Sequence, residues 1–303
     1  MIQSPLNYTG GKFRLLPQLL PLFPDKIETF VDLFCGGCNV GINVNASRHM
    51  YNDANRHLIC LYNALKNNSK EITLKTIYSI IEKYDLSLSS KYGYDYYGCE
   101  SGRGLSAYNK DKYFRMRVDF NSRTDRDDDY YILFYVLIVY SFNNQIRFNR
   151  SGEFNLPVGK RDFNKKMESK LLSFIDTLQS QNSHFSCFDF DDFDVSALTE
   201  RDFVYLDPPY LITCATYNEQ DGWNQDKEKQ LLAFMEKLSD LNIKCALSNV
   251  LASKGKENSI LIEWLRAHAD RYTVHPLTYG YANSSYHTKD KSDSAQETLI
   301  TNY

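Results

Sequence analysis

The sequence lacks any apolar run long enough to cross a membrane as a helix, which takes about 20 residues. The longest candidate, Tyr130–Phe142, is shorter, and three aspartates precede it. The sequence also lacks internal repeats and low-complexity tracts, and its N-terminus lacks the charged-then-apolar order of a secretory signal. Its 43% hydrophobic and 24% charged residues are ordinary for a folded chain, which excludes disorder as the main state. We therefore expect a folded cytoplasmic protein.

A strong excess of one charge is also missing, since 35 Lys and Arg residues stand against 38 Asp and Glu residues, for a net charge of −3. This excludes a uniformly basic protein that coats nucleic acid, but it leaves room for a local basic face. Residues 143–170 contain seven Lys or Arg residues against three acids. This segment indicates a polyanion partner, with a solvated charged loop as the equally weighted alternative.

A cysteine framework is missing as well, because the seven cysteines are odd in number and scattered along the chain. Such a set is typical of reduced thiols. Cys35 and Cys38 form a C-x-x-C pair, but no second pair and no His pair accompanies it. A zinc or redox site is therefore disfavoured, and we expect no metal.

The 303 residues suffice for about two domains. Short apolar runs alternate with helical patterns near both ends of the chain, which predicts an open α/β sheet. The predicted strands are residues 28–34, 49–53, 185–188, 202–206, 243–248, 273–277 and 297–301. The helices predicted in this region are residues 12–22, 227–238 and 259–267, and a further helix is expected to begin within residues 40–46.

The middle of the chain has a different pattern, which predicts an insertion into the sheet. Residues 55–83 have helical spacing, residues 86–111 have an irregular Ser-, Gly- and Tyr-rich composition, and residues 129–142 predict a buried helix. Residues 147–158 predict a β-hairpin, because extended residues flank the turn dipeptide Ser151-Gly152.

One predicted strand ends in the tetrapeptide DPPY, which comprises Asp207, Pro208, Pro209 and Tyr210. The two prolines force a stiff exit and remove backbone donors. What remains is a set of acceptors beside an aromatic ring, which suits a planar group that carries an amino substituent. The alternative is a rigid turn with a surface tyrosine.

A glycine turn follows an earlier strand, within the segment DLFCGGCNVG at residues 32–41. Gly36 and Gly37 allow a ligand to approach the backbone, but they fit neither the dinucleotide fingerprint nor a Walker loop. The turn therefore predicts a nucleoside site without a pyrophosphate. Asp53 ends the next strand, where it could accept hydrogen bonds from ribose hydroxyls, although a carboxylate there can also act as a simple cap.

Taken together, these motifs resemble the Dam-type DNA adenine-N6 methyltransferases of the alpha group, also called the D12 class. The resemblance spans nearly the whole chain. Its elements are NYTGGK at 7–12, VDLFCGG at 31–37, YNDAN at 51–55, FNNQIRFNRSGEFNLPVGK at 142–160, DFDDF at 189–193, DPPY at 207–210 and ETLITNY at 297–303. The segment at residues 142–160 is the most specific, since DPPY alone also fits enzymes that methylate amino groups of RNA or protein.

The resemblance implies a Rossmann-like methyltransferase sheet with an inserted, mostly helical target-recognition domain that carries a β-hairpin. Residues 1–56 and 178–303 would form the catalytic domain, and residues 57–177 would form the recognition domain. The implied cofactor is S-adenosylmethionine. Its expected binding residues are Tyr8, Lys12, Asp32, Phe34, Gly36, Gly37, Asp53, Asp189 and Phe190. Asp189 would accept from the cofactor's adenine amine, and residues 207–210 would receive the target adenine.

The implied partner is double-stranded DNA, read by Phe142, Asn143, Gln145, Arg147, Asn149 and Pro157. Arg147 aligns with the family's guanine-reading arginine, and Pro157 with its thymine-contacting proline. Gln145 departs from the apolar residue of members that read GATC, so we do not predict that target. The resemblance further implies a monomer, and a cognate restriction endonuclease as a functional partner without a stable complex. The alternatives are an RNA, protein or cytosine methyltransferase and a catalytically inactive DNA-binding module.

Overall fold

The structure, a computed structural model, describes residues 1–100, 102, 104–212, 222–278 and 297–303. These residues fold into two compact units. The first unit comprises residues 1–11 and 55–181, and the second comprises residues 12–54 and 182–303. The first unit thus holds the extreme N-terminus, which the sequence prediction placed with the catalytic domain. The functional assignment of the domains stays a prediction.

The second unit is built on a mainly parallel sheet. The strands within the described residues are β1 Thr29–Asp32, β2 Arg48–Asn52, β3 Ser183–Ser186, β4 Phe203–Leu206, β5 Lys244–Val250, β6 Ala252–Ser253, β7 Lys256–Glu257, β8 Thr273–Pro276 and β9 Glu297–Thr301. Seven of them form one sheet in the order β3-β2-β1-β4-β5-β9-β8, and β6 pairs with β7. The strands from β3 to β5 are parallel, whereas β9 runs antiparallel to both of its neighbours.

The strand order reverses between β1 and β4. The chain proceeds outward from β1 through β2 to β3, and on the other side from β4 to β5. In open α/β sheets, ligands bind where the order reverses, beyond the carboxyl ends of the strands. The register pairs Asp32 of β1 with Tyr205 of β4, so both strands deliver the residues that follow them to one edge.

Both faces of the sheet are covered, which explains why its strands are apolar at successive positions. Val31 and Val204 face a core that includes Leu231 and Leu238. Phe30 and Phe203 face the opposite core, with Leu15, Leu16 and Leu19. In the part of the chain that the structure describes, the α-helices are α1 Leu16–Leu19, α2 Arg56–Asn67, α3 Lys70–Lys83, α4 Ser89–Tyr92, α5 Ser106–Ser122, α6 Asp128–Tyr140, α7 Lys165–Ser180, α8 Gln225–Asp240 and α9 Ser259–Ala267.

The first unit is mostly helical and is organised around α6. Every residue from Tyr130 to Tyr140 is buried, as expected for a helix that is apolar all round. The Asp127 carboxylate caps its start by accepting a hydrogen bond from the backbone N–H of Tyr130 at 2.8 Å. The predicted buried helix is thereby confirmed, with its end two residues earlier than expected.

Two local predictions were wrong. The segment 86–111 is partly helical, with α4 and the start of α5, because a narrow stripe that includes Tyr113, Met116 and Phe120 buries one face of α5. The helix expected after Val40 is a single 3-10 turn, Gly41–Asn43. Among the described residues, no helix is long and apolar enough to span a membrane.

Candidate functional site

The residue that follows β4 lies in a buried cluster of charges within the second unit. The Nζ of Lys12 lies 2.8 Å from Oδ1 of Asp207 and 3.3 Å from Oε1 of Glu297. The Lys12 side chain is 2% exposed, that of Glu297 5%, and that of Asp207 19%. Burial on its own would lower the pKa of Lys12, but the two carboxylates outweigh it and raise that pKa. The ammonium therefore stays charged.

Tyr210 is tied to the same cluster by its hydroxyl. The hydroxyl oxygen lies 3.1 Å from Oδ1 of Asp207 and 2.9 Å from Oε1 of Glu297, so its proton is shared between two acceptors. Lys12 also lies 4.9 Å from the centre of the Tyr210 ring. Pro208 is buried and Pro209 exposed between these two anchored side chains. The tetrapeptide predicted to receive the target adenine is thus held at both ends.

Asp32, the last residue of β1, is a buried carboxyl in the same region. Its Oδ2 accepts a hydrogen bond from the backbone N–H of Gly41 at 3.2 Å. Burial first, and then the charge of Asp207, raise the pKa of Asp32 to about 8. At neutral pH this carboxyl is therefore mostly protonated. Gly41 is required here, because a Cβ at this position would lie 2.3 Å from the ring of Tyr51.

The glycine turn and Asp53 come together at the carboxyl ends of β1 and β2. Gly36 has a φ of 44°, in the left-handed region that favours glycine. Its backbone N–H donates to Oδ2 of Asp53 at 2.9 Å. Gly37 is buried in the same turn. The predicted neighbourhood of turn and carboxylate is present, and the ribose-binding role of Asp53 stays a prediction.

Three aromatic rings pack beside this turn. The ring centre of Phe34 lies 5.4 Å from that of Phe190 and 5.7 Å from that of Trp223, and Phe190 lies 5.6 Å from Trp223. Sequence reasoning missed Trp223. The available signal was its rarity, because the chain contains two tryptophans, and one lies two residues before the start of α8.

The Asp189 carboxylate is engaged within the protein. Its Oδ2 pairs with Nζ of Lys227 at 3.1 Å, and its Oδ1 accepts from the backbone N–H of Asp191 at 3.3 Å. Lys227 also lies 5.2 Å from the centre of the Phe190 ring. Each carboxylate oxygen has two lone pairs, so these bonds leave Asp189 able to accept from an amine.

Tyr8 and the predicted DNA-reading residues belong to the first unit. Residues 147–158 fold back on themselves as predicted, although the antiparallel pairing of this segment and its flank consists of isolated bridges, Ser141 with Val158 and Phe148 with Phe154. The tip closes through Asn149, whose side-chain oxygen accepts from the N–H groups of Ser151 and Glu153. We call residues 142–158 the hairpin.

The side chains predicted to read bases lie on the outer part of the hairpin. Phe142, Asn143, Arg147 and Pro157 are exposed, and Gln145 and Asn149 are half-buried. The guanidinium of Arg147 donates from Nε to Oδ1 of Asn155 at 2.7 Å, and from a terminal nitrogen to the Asn155 carbonyl at 3.2 Å. Asn155 was not predicted and orients this arginine.

The base of the hairpin depends on two residues that sequence reasoning did not assign. Asn144 is buried with a φ of 54°, and its amide donates to the Val139 carbonyl at the end of α6. Gly159 lets two backbones meet, since a Cβ there would lie 2.2 Å from the Ser141 carbonyl oxygen. The N–H of Gly159 donates to the Tyr140 carbonyl at 2.7 Å.

A family model identifies the class of proteins to which this chain belongs. The model for D12 class N6 adenine-specific DNA methyltransferases matches residues 8–276, most of the chain. The chain belongs to this family. The family assignment made from the motifs is confirmed, and the mainly parallel sheet agrees with the Rossmann-like methyltransferase fold that it implied.

Curated relatives of this D12-class chain are named as methyltransferases or modification methylases. Type II methyltransferase M.FokI from Planomicrobium okeanokoites and Modification methylase StsI from Streptococcus sanguinis are each 41% identical over 100% of this chain. The chain covers 43% of the length of each. The DNA adenine methylase of Escherichia coli (strain K12) is 27% identical over 80% of this chain and 79% of its own length. The chain thus spans less than half of the first two relatives.

Proposed function

We propose that this chain transfers a methyl group to the N6 amine of an adenine in a short sequence of duplex DNA. The observation that carries the proposal is the anchored pair Asp207 and Tyr210 directly beyond β4, at the point where the strand order reverses. An acceptor beside an aromatic ring suits an aromatic amine, and membership of the D12 class supports adenine as that amine.

We propose S-adenosylmethionine as the methyl source, and the donor set of the second unit fits it. A carboxylate, a glycine turn and three aromatic rings stand at the ends of β1 and β2, which suits a nucleoside. In this assignment Asp53 holds the ribose, Asp189 and Phe190 hold the adenine, and Lys12, Asp32, Phe34, Gly36 and Gly37 line the remainder. Tyr8 belongs to the first unit, and its cofactor role rests on the family resemblance alone. When bound, the cofactor supplies an electrophilic methyl group.

The target adenine must leave the helix, because N6 within a base pair is out of reach of a buried site. Unstacking costs a few kcal/mol, which stacking on Tyr210 offsets in part. The N6 lone pair is conjugated with the ring and is a poor nucleophile. Hydrogen bonds from the amine to Asp207 and to the Pro208 carbonyl draw the nitrogen toward tetrahedral geometry and orient its lone pair. Positioning of the base supplies most of the rate.

We propose that the first unit recognises the DNA through the hairpin. Its residues lie within the segment that carries the local excess of positive charge. Arg147 would read a guanine, because its planar fork matches O6 and N7 together. Its hydrogen bonds to Asn155 support this role by orienting the guanidinium before DNA arrives. Phe142 and Asn143 would enter the duplex beside the extruded base, with Gln145, Asn149 and Pro157 at neighbouring bases.

The relatives' names support a modification role beside a cognate restriction endonuclease. In this proposal, the chain acts in the cytoplasm as a monomer and forms no stable complex with that enzyme.

The proposal is tested by expressing this chain in a bacterial host that lacks adenine methylation and sequencing its plasmid DNA by a long-read method that detects modified bases. We expect modified adenines within one short recurring motif that contains a guanine. Plasmid from cells that carry an Asp207→Ala variant is the matched control and should be unmodified. Soluble protein that binds S-adenosylmethionine but leaves every adenine unmodified would contradict the proposal and favour an RNA or protein substrate.

A further inference from the structure

Glu297 is a buried carboxylate beside the proposed target site that none of the sequence motifs assigned a role. It is the first residue of β9, which pairs antiparallel with β5, and its Cα partner in the register is Val250. Its Oε1 contacts two groups of the site, the Lys12 ammonium at 3.3 Å and the Tyr210 hydroxyl at 2.9 Å. The side chain is 5% exposed.

Among the residues that the structure describes, two carboxylates, Asp207 and Glu297, share the ammonium of Lys12. Within the same described part of the chain, Asp32, Tyr205 and Tyr210 are the other titratable groups that act on this cluster. Retaining a second buried carboxylate is costly unless it is paired and hydrogen-bonded. A simple ion pair between Lys12 and Asp207 would not need it.

The Tyr210 hydroxyl indicates what the second carboxylate does. A tyrosine ring stacks well on a base when its side-chain torsion angles are fixed. Stacking alone does not fix them, because the ring can still rotate and tilt. A hydroxyl bonded to both carboxylates removes these freedoms before the base arrives. Charge-assisted hydrogen bonds of this kind are roughly twice as strong as neutral ones.

We propose that Glu297 is a positioning residue for methyl transfer, which holds the Tyr210 ring by its hydroxyl and shares the Lys12 ammonium with Asp207. This inference rests on the proposed function and adds a residue to it. Glu297 does not touch the adenine and acts through its two neighbours. A purely structural role would consist in anchoring the start of β9 alone.

The charge of Glu297 also affects the pH at which Asp207 ionises. Burial raises the pKa of Asp207, Lys12 lowers it, the Glu297 charge raises it, and the hydrogen bond from Tyr210 lowers it. Asp207 is the stronger acceptor for the amine when it is ionised, so the transfer rate rises with pH through its pKa. Removing the charge of Glu297 therefore lowers the pKa of Asp207. The acidic limb of the pH–rate profile, in which the rate rises with pH, then moves to lower pH. Removing the hydroxyl of Tyr210 moves it to higher pH.

The experiment measures single-turnover methylation of a duplex oligonucleotide against pH, with thermal midpoints and S-adenosylmethionine affinity for each variant. Tyr210→Phe keeps the ring and loses the anchor, and we expect its plateau rate to fall about tenfold or more, the equivalent of one charge-assisted hydrogen bond. Glu297→Ala should fall by a similar factor. Glu297→Gln keeps an acceptor for the hydroxyl, so its plateau rate should be largely restored while its acidic limb moves to lower pH.

Asp202→Asn is the matched control, since Asp202 is a buried carboxylate at the opposite end of β4. It accepts from the N–H groups of Thr29 and Thr199 and lies about 16 Å from Asp207 along an extended strand. We expect a lower thermal midpoint and an unmoved acidic limb.

If Glu297→Gln and Tyr210→Phe both show the wild-type plateau rate and the wild-type acidic limb, the inference is overturned and the proposed function stays intact. If Glu297→Ala fails to fold, the Gln and Phe variants decide, because each keeps the volume of the side chain it replaces. Absence of transfer by the wild type, despite folded protein, would overturn the proposed function and this inference with it.

Discussion

At the scale of single residues, the surroundings of Asp207 decide what its carboxylate can do. Burial favours the neutral form, and the Lys12 ammonium at 2.8 Å favours the ionised form that can accept from an amine. Asp207 and Tyr210 were predictable from their adjacency in DPPY, since two prolines between an acceptor and a ring restrict both. Glu297 was not predictable, because nothing local to ETLITNY indicates a neighbour at residue 12 or 210.

The first residue-scale prediction concerns Asp207→Ala. Because the substitution removes an acceptor for the target amine, we expect transfer to fall about a hundredfold or more. The affinity for S-adenosylmethionine should stay within about threefold, since Asp53 and the aromatic rings are untouched. Methyl incorporation and equilibrium binding measure the two effects separately.

Asp207→Asn serves as the control for that prediction, because the amide retains one acceptor oxygen and the shape of the side chain. We expect its rate to lie between those of the wild type and Asp207→Ala. A variant that loses cofactor binding in proportion to activity would assign Asp207 to the cofactor rather than to the base.

At the scale of elements, the turn of the hairpin was predicted correctly from the sequence, but the two arms do not form a regular ladder of hydrogen bonds. Ser151-Gly152 predicted the tip, and Asn149 closes it with its side chain. The arms meet through isolated bridges, and the base is fixed by the contact of Gly159 with Ser141. Such a hairpin presents side chains on a short, internally bonded loop, which suits contacts to base edges.

The element-scale prediction concerns Arg147→Ala. The side chain is exposed and oriented by Asn155, so its loss should leave the thermal midpoint within about two degrees. We expect relaxed preference at one guanine position, with a discrimination loss of about 1–3 kcal/mol. Methylation rates on a set of oligonucleotides with single base changes measure this.

Arg150→Ala is the matched control, since it removes the same charge from the tip of the same hairpin. It should weaken DNA binding to a similar extent for all sequences, and reduce its salt dependence, as expected for a phosphate contact. If Arg147→Ala behaves in the same uniform way, Arg147 contacts phosphate and reads no base.

At the scale of the whole molecule, the proposed division between cofactor binding and DNA recognition follows the two compact units. The second unit contains the parallel sheet and every predicted cofactor residue apart from Tyr8, and the first contains the hairpin. The relatives M.FokI and StsI are more than twice as long as this chain, so the chain is matched to part of each of them. The second unit buries an apolar cluster on each face of its sheet, and the first unit buries α6, which supports testing the chain as it stands.

The whole-molecule prediction is that S-adenosylmethionine raises the thermal midpoint of the chain. A ligand that binds the folded state alone stabilises it by about 2.7 kcal/mol at a hundred times its Kd. For a chain of this size, that corresponds to several degrees. A thermal scan with increasing ligand measures the shift. Asp53→Ala should reduce it, and an unshifted wild type would remove the cofactor assignment of the glycine turn.

The sequence by itself determined the family, the alternation of strands and helices, and the motif residues at strand ends. These features are local: a turn dipeptide, a proline pair or a buried apolar helix depends on residues that are neighbours along the chain. Tertiary structure decided which charges share the site. The partnership of Lys12, Asp207 and Glu297, the packing of Trp223 on Phe34, and the bond between Asp189 and Lys227 join distant segments. Such contacts depend on strand order and register, and the spacing of residues in a sequence does not encode them directly.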